Sequence, residues 1–263
     1  MNTYLDKIID QTISTVELDK QKIPLQKLRS YLSDLNETKG FFESIKARHD
    51  DGLVSVIAEI KRASPSQGLI RENFSPKDIA KSYQASQATC LSVLTDAPYF
   101  KGSLADLAAV REAVELPLLR KDFIVNEYQI YQSRFYGADC ILLIASVLSD
   151  IQLKEFKEIA QELNLDVLIE VHDRVEMDRA KDLGFSLIGI NNRNLKTFKV
   201  NLETTINLSK DIKDKIMVSE SGIKTKEDVS KILSSGIKTF LVGESFMRAS
   251  NPGEELKKLF FSR

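Results

Sequence analysis

The sequence predicts an α/β protein, a single (β/α)8 barrel carrying an extra N-terminal helical segment, and three observations predict it. Eight short runs rich in Val, Ile and Leu recur along the chain, at 54–61, 90–96, 117–123, 140–147, 166–173, 187–193, 215–222 and 239–247. They are near-continuous rather than strictly alternating, as a parallel sheet covered on both faces requires. Their starts lie on average about 26 residues apart, room for one strand, one helix and two turns. A doubly wound open sheet usually has fewer strands and often a glycine-rich turn after the first, and none follows the run at 54–61.

Taken in order, the chain opens on an amphipathic helix, with Leu5, Ile8, Ile9, Ile13 and Val16 on one face. The next apolar positions, Leu25, Leu28, Leu32, Phe41, Phe42 and Ile45, are expected to cover an end or side of the barrel, with closure over substrate as the other role open to them. Residues 1–48 are thus expected to be an appendage and 49–263 the barrel. Between the runs, Ser75 precedes Pro76 as cap and first helical residue. Asn126 opens another helix, and Thr225, followed by Glu227 and Asp228, a third. Gly137, Gly184 and Gly236 each stop a helix before the next strand.

Composition narrows the function classes. Among 263 residues, 37 basic and 38 acidic side chains leave a net charge of −1, which argues against a strongly basic nucleic-acid binder. The first 20 residues lack an apolar signal-peptide core, and no stretch reaches the ~18 consecutive apolar residues of a membrane span, so a cytoplasmic chain is expected. Cys90 and Cys140 sit beside aliphatic runs and are expected to be buried free thiols. With only His49 and His172 available, a Cys/His metal cluster is not expected.

Barrel active sites lie at the C-terminal ends of the strands. There this sequence places Glu59 and Lys61, then Lys121 and Asp122, then Glu170, His172 and Asp173. Asn191, Asn192 and Arg193 follow, then Glu220, Ser221 and Gly222, and finally Gly243, Glu244 and Ser245. The two-residue period of a strand puts Glu59 with Lys61 on one face, and Leu168 with Glu170 and His172. Buried charges are costly unless paired, so one such pair could be a structural plug, but the three glutamates Glu59, Glu170 and Glu220 with two lysines on one rim mark a site. Glutamates and lysines without a metal cluster or a Ser-His-Asp arrangement point to acid–base chemistry on a small anionic molecule. A lysine in a crowded cationic rim can have a depressed pKa and act as a general acid or as a Schiff-base nucleophile. Glycines ending the last two strands mark the place where barrels commonly hold a phosphate.

These residues carry a resemblance. Ile57-Ala58-Glu59-Ile60-Lys61-Arg62-Ala63-Ser64-Pro65-Ser66-Gln67-Gly68 resembles the signature of indole-3-glycerol phosphate synthase, a tryptophan-pathway barrel lyase. The likeness continues through Leu119-Arg120-Lys121-Asp122-Phe123-Ile124, Leu168-Ile169-Glu170-Val171-His172 and Ile188-Gly189-Ile190-Asn191-Asn192-Arg193-Asn194-Leu195. It ends with Ser219-Glu220-Ser221-Gly222-Ile223 and Val242-Gly243-Glu244-Ser245-Phe246-Met247-Arg248. Gln67, where many members have lysine, is a departure that follows the reactive strand.

The resemblance implies closure of 1-(2-carboxyphenylamino)-1-deoxyribulose 5-phosphate to indole-3-glycerol phosphate, with loss of CO2 and water. It implies Lys121 as general acid, Glu170 as general base, and Lys61 with Glu59 orienting substrate and assisting proton transfer. Asn191 would hold substrate hydroxyls or charge-bearing groups, supported by Glu220 and Ser221. Arg193, Gly222, Gly243 and the Glu244 amide would take the phosphate, with Lys61 and Ser64 nearby. A sugar-phosphate substrate, no cofactor or metal, no nucleic-acid or membrane partner, and a monomer or weak homodimer complete the expectation. For His172 a hydrogen-bonded structural role is expected, and for Asp122 and Asp173 the anchoring of loops. A Schiff-base sugar-phosphate aldolase using Lys61 or Lys121, and an inactive barrel kept as a binding partner, are the alternative readings.

Overall fold

The computed structural model describes residues 4–32, 35–194, 197–210, 212 and 214–262. Leu195, the last residue of the sixth-strand motif, lies outside the described residues, as do Met1 and Arg263. Eight parallel strands close into a barrel in sequence order. They are β1 (Ser55–Ile60), β2 (Cys90–Leu94), β3 (Leu118–Lys121), β4 (Cys140–Ile144), β5 (Asp166–Val171), β6 (Leu187–Asn191), β7 (Ile216–Glu220) and β8 (Thr239–Val242). β1 pairs with both β2 and β8, which completes the ring. The fold is the (β/α)8 barrel with an N-terminal helix.

Each strand stops short of the C-terminal end of its apolar run. The largest difference is at 239–247, where β8 ends at Val242 and Glu244–Arg248 forms a short helix. The ladder ends where the loops diverge to build the barrel mouth, and polar side chains there face an opening instead of a packed layer. The loop after β1 also contains an antiparallel pairing of Ala63–Ser64 with Gly68–Leu69. The expected helix boundaries hold. Ser75 is a cap with Pro76 behind it, although its hydroxyl bonds the Asp78 carboxylate at 2.6 Å, not the backbone. Asn126 and Thr225 close reciprocal capping boxes with Gln129 and Asp228. Gly137, Gly184 and Gly236 adopt the left-handed conformation that ends a helix.

The strands divide the core in two. Val56, Ala58 and Ile60 of β1 face the surrounding helices, whereas Ile57 points into the barrel with Leu119, Leu168 and Val218 of the other odd-numbered strands. Cys90 and Cys140 are free and fully buried in that inner layer.

The N-terminal segment forms helices α1 (Tyr4–Lys22), α2 (Leu25–Ser30) and α3 (Phe41–Asp50). Phe41 and Ile45 of α3 complete the inner layer from below and plug the barrel. The helix starts on left-handed Gly40, which has no capping side chain. Carboxylates from the barrel replace the cap: Asp166 accepts from the Phe42 amide at 2.8 Å and Asp139 from the Lys39 amide at 2.7 Å. Val16 and Leu28 pack on Tyr128 and Tyr131 at the barrel's side. Phe41 is fully buried, so Phe41→Ala should cost about 3–5 kcal/mol. Urea denaturation should show the lowered midpoint, while kcat of the folded fraction stays near wild type because the plug lies at the end opposite the mouth.

Candidate active site

One pocket at the C-terminal mouth is lined by Glu59, Lys61, Ser64, Lys121, Glu170, Asn191, Arg193, Glu220, Ser221, Gly222, Gly243 and Glu244, together with further residues. The twelve positions to which the resemblance assigns catalytic or phosphate-binding roles therefore meet in one place, whereas His172, Asp173 and Asn192 lie outside the lining. The reason lies in the two-residue strand period. Two positions beyond inward-facing Ile57, Leu119, Leu168 and Val218 come Glu59, Lys121, Glu170 and Glu220. The four odd-numbered strands thus carry an ionisable layer directly above an apolar one, where a barrel ordinarily stacks apolar side chains.

The Lys121 ammonium lies between two carboxylates, 2.9 Å from Glu170 Oε2 and 3.2 Å from Glu220 Oε2. Lys61 pairs with Glu59. His172 Nε2 lies 3.3 Å from Glu170 Oε1, and its Nδ1 is 3.1 Å from Glu176 Oε2. The three glutamates of the layer are 2–4% exposed. Three buried carboxylates thus face three basic groups, Lys61, Lys121 and His172. These pairs could be mistaken for structural plugs, but they border an open pocket and not a dry interior.

The electrostatics correct one expectation. Lys121 is not crowded by cations. Burial acts against its charge, but Glu170, Glu220 and Glu59 outweigh that and hold its pKa above the ordinary lysine value. Burial likewise opposes the charge of Glu170, and Lys121 with His172 overcomes it, so that carboxylate stays below its usual range. Glu220 goes the other way. Burial, reinforced by the carboxylates of Glu170 and Glu59, pushes it up to about 7 despite Lys121. Its Oε1 has no hydrogen-bond partner among the described residues.

Two glycines make room for this layer. A Cβ on Gly189 would lie 2.0 Å from Glu220 Oε1, and one on Gly243 would lie 2.4 Å from Glu59 Oε1. Each collision is with the end of a side chain, so a methyl group would displace the carboxylate without unfolding the barrel. Gly189→Ala should lower kcat/KM by ~10²-fold, the usual scale for a misplaced catalytic constellation. Steady-state kinetics beside an unchanged melting curve would check this.

The β7 and β8 ends form the rim. Ser221 and Gly222 both have positive φ, 65° and 89°. For serine that conformation is strained, and it is held by buried Asn192, whose Nδ2 donates to the carbonyls of Glu220 at 2.9 Å and Ser221 at 3.1 Å. A Cβ on Gly222 would meet Val200 Cγ1 at 2.5 Å. Arg193 reaches Glu244 Oε2 at 3.5 Å, and Arg248 reaches Glu244 Oε1 at 3.3 Å. With its carboxylate so engaged, Glu244 has its amide left to offer at the mouth. Asn191 Oδ1 accepts from the Arg193 amide at 3.0 Å, which fixes its side chain over β6.

Several lining residues escaped the sequence reading. Leu94, Phe100, Phe123, Leu142, Ile144 and Leu241 provide apolar walls. Tyr4, Leu5 and Ile8 of α1 lie over the mouth, and Tyr4 stacks edge-on against Tyr99 and Phe198. Leu5 and Ile8 belong to the apolar helix face visible in the sequence, but nothing there showed which surface that face covers. Lys224 adds a cation beside the glycine turn. Asp122 and Asp173 act as anchors: Asp122 pairs with Arg120 at 3.0 Å, and Asp173 caps the helix Arg174–Asp182.

Fold and site together define a barrel whose mouth gathers buried carboxylates and lysines, a set suited to acid–base chemistry. The family model for indole-3-glycerol phosphate synthase matches residues 5–259. Indole-3-glycerol phosphate synthase of Neisseria meningitidis serogroup C is 47% identical over 260 residues, covering 99% of this chain and 100% of the relative. That of Delftia acidovorans is 47% identical over 266 residues, with the same coverages. Among solved structures, a 3-hexulose-6-phosphate synthase is similar at a TM-score of 0.63 and 15% identity, covering 78% of this chain and 97% of that one, a likeness of fold alone. The chain belongs to the indole-3-glycerol phosphate synthase family. It is a decarboxylating carbon–carbon lyase of tryptophan biosynthesis that acts on a small sugar phosphate.

Proposed function

We propose that Lys121 drives ring closure and Glu170 drives dehydration of 1-(2-carboxyphenylamino)-1-deoxyribulose 5-phosphate. The observation that carries this reading is the Lys121 ammonium suspended between Glu170 and Glu220 at the floor of the pocket. A lysine so held stays charged and is therefore an acid, not a nucleophile. In the first step the aromatic carbon bearing the carboxylate bonds to C2 of the sugar, and the Lys121 ammonium gives its proton to the C2 oxygen. The bond to the carboxylate then breaks, its electron pair restores the aromatic ring, and CO2 leaves. In the last step Glu170 takes a proton from C1, the C1–C2 double bond forms, and the C2 hydroxyl leaves as water after protonation from the Lys61–Glu59 pair.

Asn191 holds the sugar hydroxyls, with Glu220 and Ser221 supporting the geometry around Lys121. Arg193, Gly222, Gly243 and the Glu244 amide receive the phosphate, with Ser64 and Lys61 on its near side. The glycine turn after β7 and the pairing of the Glu244 carboxylate with Arg193 and Arg248 favour an anion there. The apolar walls formed by Phe100, Phe123 and Ile144 suit the aromatic ring. On this reading residues 49–263 hold the acid–base groups and 1–48 form an extension that contributes part of the mouth. Buried free thiols suit a reducing cytoplasm, and no helix among the described residues is long and apolar enough to cross a membrane. We place the chain there as a monomer or weak homodimer.

Borohydride treatment during turnover separates this reading from a Schiff-base aldolase. No reduced adduct should form on Lys61 or Lys121, and a trapped lysine would overturn the assignment.

A further inference from the structure

We infer that His172, anchored by Glu176, is the positioning residue that holds the Glu170 carboxylate in its basic form and in register with substrate. The inference rests on Glu170 being the base, and extends it to a pair of residues that do not line the pocket.

The geometry begins at the start of the helix Arg174–Asp182. Asp173 is its cap and accepts from the Glu176 amide at 2.9 Å. Glu176 does not return to the cap residue's own amide, as a capping box would. Its Oε2 reaches one residue further, accepting from the His172 amide at 2.7 Å and lying 3.1 Å from the ring Nδ1. Backbone and ring are thus tied to one carboxylate oxygen, which fixes the imidazole plane. The opposite ring nitrogen is aimed at the site: Nε2 is buried, 3.3 Å from Glu170 Oε1, and has no well-formed hydrogen bond among the described residues. A buried donor left short of its acceptor is costly unless a small movement completes the bond. A Glu170 carboxylate turning from Lys121 toward substrate would complete it.

The surrounding charges favour the same role. Glu170 meets Lys121 from β3 through Oε2 and His172 through Oε1, with Glu220 on β7 and Glu59 on β1 sharing the layer. When Lys121 gives up its proton to substrate, His172 is the remaining cation on Glu170. Without it the carboxylate would take up a proton from solvent before the dehydration step. The paired carboxylates overcome the burial of the ring and raise His172 to about 10, so it stays charged through neutral pH. His172 and Glu176 are four residues apart, a spacing that puts the carboxylate under the histidine only because the strand turns directly into the helix.

Three variants test this: His172→Asn, Glu176→Gln and Glu170→Gln, each assayed for kcat, KM and pH dependence of indole formation. His172→Asn should lower kcat ~10-fold or more while KM changes less than ~3-fold, because substrate contacts are untouched. Loss of the cation raises the Glu170 pKa, so the acidic limb of kcat should move to higher pH. Glu176→Gln keeps an acceptor for the His172 amide but removes the charge that keeps the ring protonated. Its activity should fall with rising pH as His172 loses its proton, an alkaline limb displaced toward neutrality. Because the shape is retained in that variant, an unchanged KM also reports an intact fold. Should Glu170→Gln abolish turnover while both His172→Asn and Glu176→Gln leave the pH profile unmoved, the inference fails and the base assignment stands. Should Glu170→Gln turn over normally, the base assignment itself fails.

Discussion

Lys121→Ala should suppress CO2 release and indole-3-glycerol phosphate formation together, with kcat lower by at least ~10²-fold. Ring closure is the first step and needs the C2 oxygen protonated as the new bond forms, so no later step can proceed without it. The substitution also leaves Glu170 and Glu220 facing one another without their shared cation. Removing one partner of a buried pair costs about 3–5 kcal/mol, so the variant should melt at lower temperature. Lys121→Arg separates the two effects. It restores the charge and most of the stability, yet its guanidinium holds its proton too tightly to act as the acid. Activity near wild type in Lys121→Arg would show that the charge, and not the proton, is what the reaction uses. The measurement is single-turnover release of labelled CO2 beside indole fluorescence, with thermal melts of each variant.

Glu170→Gln should behave differently. Its amide has the shape of the carboxylate and cannot accept a proton, so kcat for indole should again fall by at least ~10²-fold. Ring closure and decarboxylation precede the step that needs the base. A single turnover should therefore release CO2 while indole fails to appear, and the cyclised, hydroxylated intermediate should accumulate. Loss of both products together would move Glu170 to the first step. The contrast between the two variants is the sharpest test of the division of labour, because it compares products and not just rates. The wild-type carboxylate, held below its usual range against the effect of burial by Lys121 and His172, is ionised throughout the neutral range. An acidic limb in kcat is therefore expected only well below neutrality, and a limb near pH 7 would report Glu220, which is pushed up to about 7.

Much of this site was legible in advance because its logic is local. Glu59 and Lys61 are two residues apart, and so are Glu170 and His172, so the strand period alone puts each pair on one face. Arg120, between Leu119 and Lys121, points outward by the same rule and is buried against Asp122 and Gln129 instead of reaching the pocket. Asn192 likewise points away from the pocket and clamps the turn that carries Ser221. The strained φ of Ser221 left no trace in its residue type, since serine is not a residue that announces a left-handed turn.

The sequence alone was enough for the barrel, the shared strand faces of Glu59 with Lys61 and of Glu170 with His172, and the set of charged residues on the rim. These follow from apolar period, capping residues and strand alternation, all of which act over a few positions. Only the tertiary structure decided which charges meet. Lys121 pairs with residues 49 and 99 positions away, on strands that are not its neighbours in the sheet but face it across the closed barrel. That closure surrounds the lysine with carboxylates and raises its pKa where crowding by cations would have lowered it. It also lays α1 over the mouth, since an amphipathic helix specifies that one face is buried but not the surface it is buried against.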